Sequence, residues 1–167
     1  PQAETLAFAE AARDYIRKRS VKEVILVGSW SYYSPKGLKE ALVSTATELA
    51  KSGSRVSVLL EVPPQSADVP RSLALDERFS VAGHPWAATL VDYDRKNRDF
   101  LTEISHNPQI HLIDIRRALF DEKGNSIVLI DGRPVYSDSG HLSASGSKWL
   151  ADFLGEQLGW AEGLSPR

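Results

Sequence analysis

The sequence predicts an α/β domain, a three-layer sandwich in which a mostly parallel sheet lies between helices. Short, β-branched apolar runs alternate along the chain with longer segments of helical apolar spacing. This alternation favours parallel strands that are joined by helical crossovers. The length of 167 residues and the hydrophobic content of 42% are those of one domain with its own core.

The first part of the chain predicts two helices and two strands. Residues 4–17 carry apolar side chains at helical spacing, and residues 21–28 form an apolar run that indicates a buried strand. A second helix is expected over residues 37–51, with Gly53 in the place of a C-terminal glycine cap. Residues 55–62 predict the next strand, which a pair of prolines stops.

The second part begins with an aperiodic stretch, residues 63–85, which predicts a functional loop or a short helix. Helical spacing returns between Leu90 and Ile104, and residues 109–113 predict a third core strand. An Asp-Gly pair inside residues 124–136 is typical of a hairpin with a type I′ turn. The last predicted helix covers residues 143–158, with Ser143 as its N-cap.

Composition excludes several classes of function. With 20 Lys and Arg against 22 Asp and Glu, the formal charge is −2, which argues against a nucleic-acid-binding protein. The sequence has no cysteine, so disulfides, thiolate metal sites and a cysteine nucleophile are excluded. The histidines outside the last loop, His84, His106 and His111, lack metal-ligand spacing, and no glycine-rich phosphate loop is present. Neither a metal nor a cofactor is therefore expected.

The strongest chemical signal is the pair Asp138 and His141, three residues apart in a loop before the last helix. This spacing lets the carboxylate accept a hydrogen bond from Nδ1 of the imidazole, which leaves the other ring nitrogen to take a proton from a serine hydroxyl. Such a pair is the base and its orienting acid in a Ser-His-Asp triad. The alternative is that Asp138 only accepts hydrogen bonds from nearby backbone amides.

The same block carries a family resemblance. From Tyr136 to Gly146 the sequence reads Tyr-x-Asp-x-x-His-Leu-Ser-x-x-Gly, which resembles the last conserved block of the SGNH (GDSL-type) hydrolases. It is most similar to the SGNH domain fused to membrane acyltransferase family 3 proteins, the O-acetyltransferases of bacterial surface polysaccharides. In that branch, the strand of the third conserved sequence block leads into an aromatic loop, and residues 21–33 resemble this strand and loop. Residues 53–64 resemble the strand that follows. The resemblance implies a flavodoxin-like α/β fold.

Two departures from the family pattern shape the expectations. No Gly-Asp-Ser occurs in the sequence, so the resemblance implies that the nucleophile and the first strand lie upstream of Pro1. The absence of methionine agrees with a piece of a longer polypeptide, in which residues 1–167 are the C-terminal major part of a single domain. The family's Gly-x-Asn-Asp is replaced by Gly-Ser-Trp-Ser from Gly28 to Ser31, so an oxyanion needs other donors, such as backbone N–H groups.

The loop that follows residue 28 supplies the remaining site candidates. Ser29, Trp30 and Tyr33 are candidates for oxyanion or substrate binding, with the aromatic rings suited to stacking on sugars. Trp30 has an equally favoured alternative, in which it packs beneath the loop. Ser29 is disfavoured as the nucleophile because no glycine follows it at the spacing of Gly-x-Ser-x-Gly.

The resemblance implies an enzyme that passes an acyl group, expected to be acetyl, through a serine ester to a sugar hydroxyl. His141 would be the general base and later the acid, and Asp138 would orient it. The resemblance also implies an acyl donor delivered by a membrane acyltransferase domain, a polysaccharide acceptor, and a place at the periplasmic face of the bacterial inner membrane. Two alternatives stay open: ester hydrolysis by the same residues, and a glycan-binding domain without catalysis.

Overall fold

A computed structural model of the chain describes residues 2–31 and 37–158. The described residues form two compact units. The first unit contains the described residues up to Glu61 together with Asn97–Asp114. The second unit contains Val62–Lys96 and the described residues from Ile115 onward. Every helix within residues 2–31 and 37–158 is too short or too polar to cross a membrane.

A three-stranded parallel sheet forms the centre of the first unit. Its strands are β1 (Glu23–Val27), β2 (Arg55–Leu59) and β3 (Ile110–Ile113), and they lie in the order β1-β2-β3. In the register of the sheet, Val56 of β2 lies between Val24 and Ile110 of its two neighbours. The parallel α/β architecture predicted from the alternation of strands and helices is therefore confirmed.

Helix α2 (Leu38–Lys51) packs its apolar stripe against β2. Leu42, Ala46 and Leu49 are buried along it. Gly53 follows the helix with a φ of +91°, a left-handed conformation that glycine adopts without strain. The predicted helix and its glycine cap are thus both present.

Helix α1 (Gln2–Lys18) and strand β1 are more exposed than the sequence predicts. Phe8 and Tyr15 of α1 are largely exposed, and Val27 at the end of β1 is 67% exposed. The prediction that β1 is buried is wrong for a physical reason: among the described residues it pairs on one side only, with β2. An edge strand keeps part of its apolar surface and one row of backbone groups uncovered.

The second unit begins with the segment that was predicted to be a loop or a short helix. It contains helix α3 (Val69–Phe79), which begins where the carboxylate of Asp68 accepts a hydrogen bond from the backbone N–H of Arg71. Pro70 lies in the first turn, where its missing N–H costs nothing. The next helix, α4, covers Leu90–Ser105, as its spacing predicts, and its residues from Asn97 onward belong to the first unit.

A hairpin and two further helices complete the second unit. The short helix α5 (Arg116–Leu119) was not predicted. Strands β4 (Leu129–Ile130) and β5 (Arg133–Pro134) are antiparallel, and both residues of the intervening Asp-Gly pair have positive φ, as a type I′ turn requires. Helix α6 covers Ala144–Leu158.

Candidate active site

The loop between β5 and α6 brings Asp138 and His141 together. Nδ1 of His141 lies 2.8 Å from Oδ2 of Asp138, so the hydrogen bond that their spacing predicts is present. The other carboxylate oxygen accepts the backbone N–H groups of Gly140, at 2.7 Å, and of His141, at 2.8 Å. The carboxylate therefore fixes both the backbone turn and the imidazole, so it does not bond to backbone amides alone, and the catalytic role of the pair stays a prediction.

The charge of Asp138 determines which ring nitrogen of His141 carries the hydrogen. The backbone N–H groups of Gly140 and His141, followed by the imidazole, lower the pKa of Asp138 from 3.8 to about 2. An ionised carboxylate can only accept, so Nδ1 donates and Nε2 has its lone pair available in the neutral ring. The His141 side chain is 84% exposed, which leaves that nitrogen accessible to a hydroxyl group.

Replacing Asp138 by asparagine is expected to lower the melting temperature in a way that depends on pH. The folded-state pKa of about 2 lies below the ordinary value of 3.8, so the stabilisation by the charge is present above the ordinary value. It is lost as the pH falls through the folded-state value. The melting temperatures of the native chain and Asp138→Asn should therefore differ near about pH 6 and converge towards about pH 2.

Circular dichroism over this pH range measures both melting curves. Asp152→Asn, on an exposed position of α6, is the matched control for the loss of one surface carboxylate. A melting-temperature difference for Asp138→Asn that stays constant down to about pH 2 would show that the carboxylate charge does not hold the loop.

Residues 137–142 form the loop that carries the Asp138–His141 pair, called the dyad loop below. Hydrogen bonds join the two ends of this loop. The backbone N–H and the hydroxyl of Ser137 both donate to the carbonyl of His141, at 2.8 and 3.2 Å. Tyr136 is fully buried directly before the loop, and its hydroxyl lies 3.1 Å from Oγ of Ser126. Burial raises the pKa of Tyr136, so the phenol stays neutral and anchors the loop.

A buried amide ties the dyad loop to the segment that begins the second unit. The backbone N–H of Gln65 donates to the carbonyl of Ser139 at 2.7 Å. Its side-chain Nε2 donates to the carbonyl of Pro63 and to Oγ of Ser126, while Oε1 accepts the N–H of Ala88. Both the nitrogen and the oxygen of the side-chain amide are hydrogen-bonded. Gln65 therefore links the segments that contain Ser139, Ser126 and Ala88.

The start of α6 explains two further members of the Tyr136–Gly146 block. Oγ of Ser143 accepts the N–H of Gly146 at 3.1 Å, which confirms the predicted N-cap. The backbone N–H of Ser143 donates to the carbonyl of Val135 at 2.9 Å. A Cβ on Gly146 would lie 2.1 Å from that same carbonyl oxygen, so only glycine fits there. The helix is thus docked directly on the backbone from which the dyad loop departs.

In the first unit, a buried carboxylate organises the loop that follows β1. Glu61 lies just beyond the end of β2 and is buried. Its Oε2 accepts hydrogen bonds from Oγ of Ser29, at 3.3 Å, and from the backbone N–H of Ser31, at 3.1 Å. Ser29 is thereby held by a carboxylate, and its role in oxyanion or substrate binding stays a prediction.

Trp30 is a packing residue of the first unit. It is 8% exposed, stacks on Phe100 with ring centroids 5.1 Å apart, and donates from Nε1 to the carbonyl of Leu59. A Cβ on Gly28 would lie 2.9 Å from the indole, so the ring also fills the space beside that glycine. The expectation that Trp30 offers a face to sugars is therefore wrong, and the packing alternative is the one observed. Tyr33 lies outside the described residues, so its sugar-binding role stays a prediction.

Two residues that hold candidate groups in place, Glu61 for Ser29 and Gln65 for the dyad loop, were missed in the sequence. Glu61 had a usable signal, because an acidic residue directly follows an apolar strand, where sites collect in parallel sheets. Gln65 had none, since its partners are distant in the sequence and only the folded chain assembles them. Residues 2–31 and 37–158 contain no group of three acidic or histidine side chains that could hold a metal ion.

A protein-family model matches most of the chain. The family model for the SGNH domain that is fused to AT3 domains matches residues 2–156. This range includes the parallel sheet, the Tyr136–Gly146 block and the hydrogen-bonded pair Asp138–His141. No curated protein sequence matches the chain.

Among solved structures, the periplasmic domain of the lipopolysaccharide acetyltransferase of Salmonella ser. Paratyphi A is similar, with a TM-score of 0.68 and 18% sequence identity. The match covers 89% of this chain and 61% of that domain, so the chain spans less than two thirds of its length. A Streptococcus pneumonia protein described as a platelet activating factor gives a TM-score of 0.44 at 13% identity, over 85% of this chain and 67% of that one. At 18% identity the likeness to the Salmonella domain shows the fold alone.

Proposed function

Because the chain belongs to the family of SGNH domains that are fused to AT3 domains, we propose that it is the base-bearing part of an O-acyltransferase. The reaction we assign to it is transfer of an acetyl group to a hydroxyl of a bacterial cell-surface polysaccharide. The observation that carries the proposal is the pair Asp138–His141, in which the carboxylate holds Nδ1 and leaves Nε2 accessible. That arrangement suits proton transfer to and from hydroxyl groups.

In the proposed mechanism, Nε2 of His141 takes the proton of a serine hydroxyl while the serine oxygen attacks the carbonyl carbon of the acyl donor. The donor's leaving group departs with that proton, and an acyl-serine ester remains. His141 then takes the proton of a sugar hydroxyl, whose oxygen attacks the ester carbonyl. The serine leaves and recovers its proton from His141. Asp138 stabilises the imidazolium that forms in both steps.

The serine is proposed to come from a segment upstream of Pro1, together with a strand that pairs with β1. The absence of Gly-Asp-Ser from the sequence supports this placement. A second support is the exposed edge of β1, which pairs only with β2 among the described residues and ends in the exposed Val27. An added parallel strand would cover that edge and complete its hydrogen bonds.

The donor is proposed to be delivered by a membrane acyltransferase domain of the same polypeptide, at the periplasmic face of the bacterial inner membrane. The family's fusion to AT3 domains supports the membrane partner. The fold shared with the periplasmic domain of a lipopolysaccharide acetyltransferase supports the proposed periplasmic location and the proposal that the acceptor is a glycan.

Product analysis with the full polypeptide tests this function. Incubation with an acetyl donor and a cell-surface polysaccharide is expected to give acetylated polysaccharide, with free acetate in the minority. Acetate as the sole product, at a rate that the polysaccharide does not change, would identify an esterase and reject the transferase. Polysaccharide binding without acetate or acetylated product would identify a glycan-binding domain.

A further inference from the structure

The second unit contains another carboxylate–imidazole pair, far from Asp138 in the sequence. Nδ1 of His84 lies 2.8 Å from Oδ2 of Asp76, and Nε1 of Trp86 donates to the same oxygen at 2.8 Å. The Asp76 side chain is only 12% exposed. Hydrogen bonds from His84 and then Trp86 lower the pKa of Asp76, which keeps the carboxylate ionised. Nδ1 of His84 therefore carries the hydrogen, and Nε2 is left as an acceptor.

His84 lies where two cavities of the second unit meet. One has a volume of about 560 Å³ and the other about 670 Å³, and both are lined by His84 and Leu129. These volumes are in the range of small-molecule sites, roughly 300–1,000 Å³. The imidazole is half-buried, so a ligand in either cavity can reach it.

The charge of the cavity walls limits the class of ligand. The acidic side chains along them are Asp76, Glu77 and Asp121, and no lysine or arginine is among the described lining residues. A nucleotide or another phosphorylated ligand would meet carboxylates and no cation, which is unfavourable. A neutral ligand with hydroxyl groups meets no such penalty, and Nε2 of His84 can accept one of its hydrogens.

The apolar part of the walls fits the same ligand class. Leu73, Val81 and Pro134 line the larger cavity, and Leu129, on the wall of both, is partly exposed. Sugar rings carry hydroxyl groups at their edges and C–H groups on their faces, so they need both kinds of contact. An aliphatic wall beside a fixed hydrogen-bond acceptor provides them.

We infer that His84, positioned by Asp76 and Trp86, forms a binding site for an uncharged sugar residue of the acceptor glycan. The inference rests on the proposed function for the identity of the ligand as acceptor. A hydroxyl of the sugar donates to Nε2 of His84, and a ring face packs on Leu129. Asp76 and Trp86 are positioning residues, because their hydrogen bonds fix the orientation and tautomer of the imidazole.

The decisive variant is His84→Asn. The asparagine amide nitrogen takes the place of Nδ1 and can still donate to Asp76, but nothing replaces Nε2 as the acceptor. The hydrogen bond from residue 84 to Asp76 is therefore kept, while the proposed contact with the ligand is lost. His106→Asn is the matched control, because His106 is an exposed histidine at the end of α4.

The first measurement is saturation-transfer NMR on the full polypeptide with methyl glycosides of glucose, galactose, mannose and rhamnose as probes. At least one glycoside is expected to bind, and the dissociation constant should rise roughly tenfold in His84→Asn, the value of one hydrogen bond to the ligand. The melting temperature should not change, and His106→Asn should bind normally. Absence of binding to the native protein, or equal binding by His84→Asn, would overturn the inference.

The second measurement is steady-state acyl transfer, which separates this inference from the proposed function. His84→Asn is expected to raise the acceptor KM roughly tenfold and to leave kcat within about twofold of the native value. Acyl transfer with an unchanged acceptor KM would reject the subsite and leave the proposed function intact. Glycoside binding that depends on His84, in a protein without acyl transfer, would reject the function and leave the sugar site intact.

Discussion

Replacing His141 by alanine in the full polypeptide is expected to lower the rate of acyl transfer by on the order of 10⁴-fold or more, with the fold retained. The loss follows from the proposed mechanism, because both the serine and the sugar hydroxyl give their protons to Nε2. The side chain is 84% exposed and its ring is hydrogen-bonded to Asp138 alone among the described residues. Removing it therefore leaves the packing of the second unit intact.

Acetate incorporation into the polysaccharide measures the rate, and circular dichroism measures the fold. His106→Ala, which removes another exposed histidine, is the matched control and should keep the native rate. Acetylation by His141→Ala at the native rate would show that this imidazole is not the base. A full loss of activity in His106→Ala would show that the assay reports general damage.

Replacing Gly146 by alanine is expected to destabilise the protein by about 1–3 kcal/mol or more, because overpacking a rigid site forces backbone shifts. The new Cβ would lie 2.1 Å from the carbonyl oxygen of Val135 and 2.9 Å from its carbonyl carbon. Backbone on both sides must move, since neither α6 nor the Val135 peptide can rotate away as a side chain would. The same carbonyl accepts the N–H of Ser143, so that hydrogen bond is strained too.

Urea unfolding of the two proteins measures the difference in the free energy of unfolding. Gly155→Ala is the matched control, because Gly155 lies in the same helix and an added Cβ there has no neighbour within 4 Å. Alanine at that position should be neutral or stabilise by up to about 1 kcal/mol, from helix propensity. Equal stabilities for Gly146→Ala and the native protein would contradict the close approach of α6 to Val135.

The parts of the fold that the sequence predicted well depend on local patterns. The Asp131-Gly132 turn, the cap at Ser143 and the glycine after α2 each follow from a few neighbouring residues with a known backbone preference. The pair Asp138–His141 belongs to the same class, since both groups lie within one turn of chain. Contacts between residues that are close in the sequence can be predicted without knowing which distant residues lie near them in the fold.

The predictions that failed depend on which other parts of the chain are near. The apolar run of β1 predicted burial, but β1 is an edge strand in the described sheet. Trp30 was a candidate for stacking on sugars, but its stacking on Phe100 depends on a helix many residues away. The contacts of Gln65 and the pairing of Asp76 with His84 likewise join residues that no periodicity links.

The central claim is that Asp138 and His141 activate a serine that lies upstream of Pro1. Labelling the full polypeptide with a fluorophosphonate, followed by peptide mass spectrometry, tests it most directly, because the reagent modifies only serines whose hydroxyl is activated. We predict one labelled serine, in the segment before Pro1, and loss of the label in His141→Ala. A label on Ser29 or on any other serine of the 167 residues, or a label that persists in His141→Ala, would contradict the account.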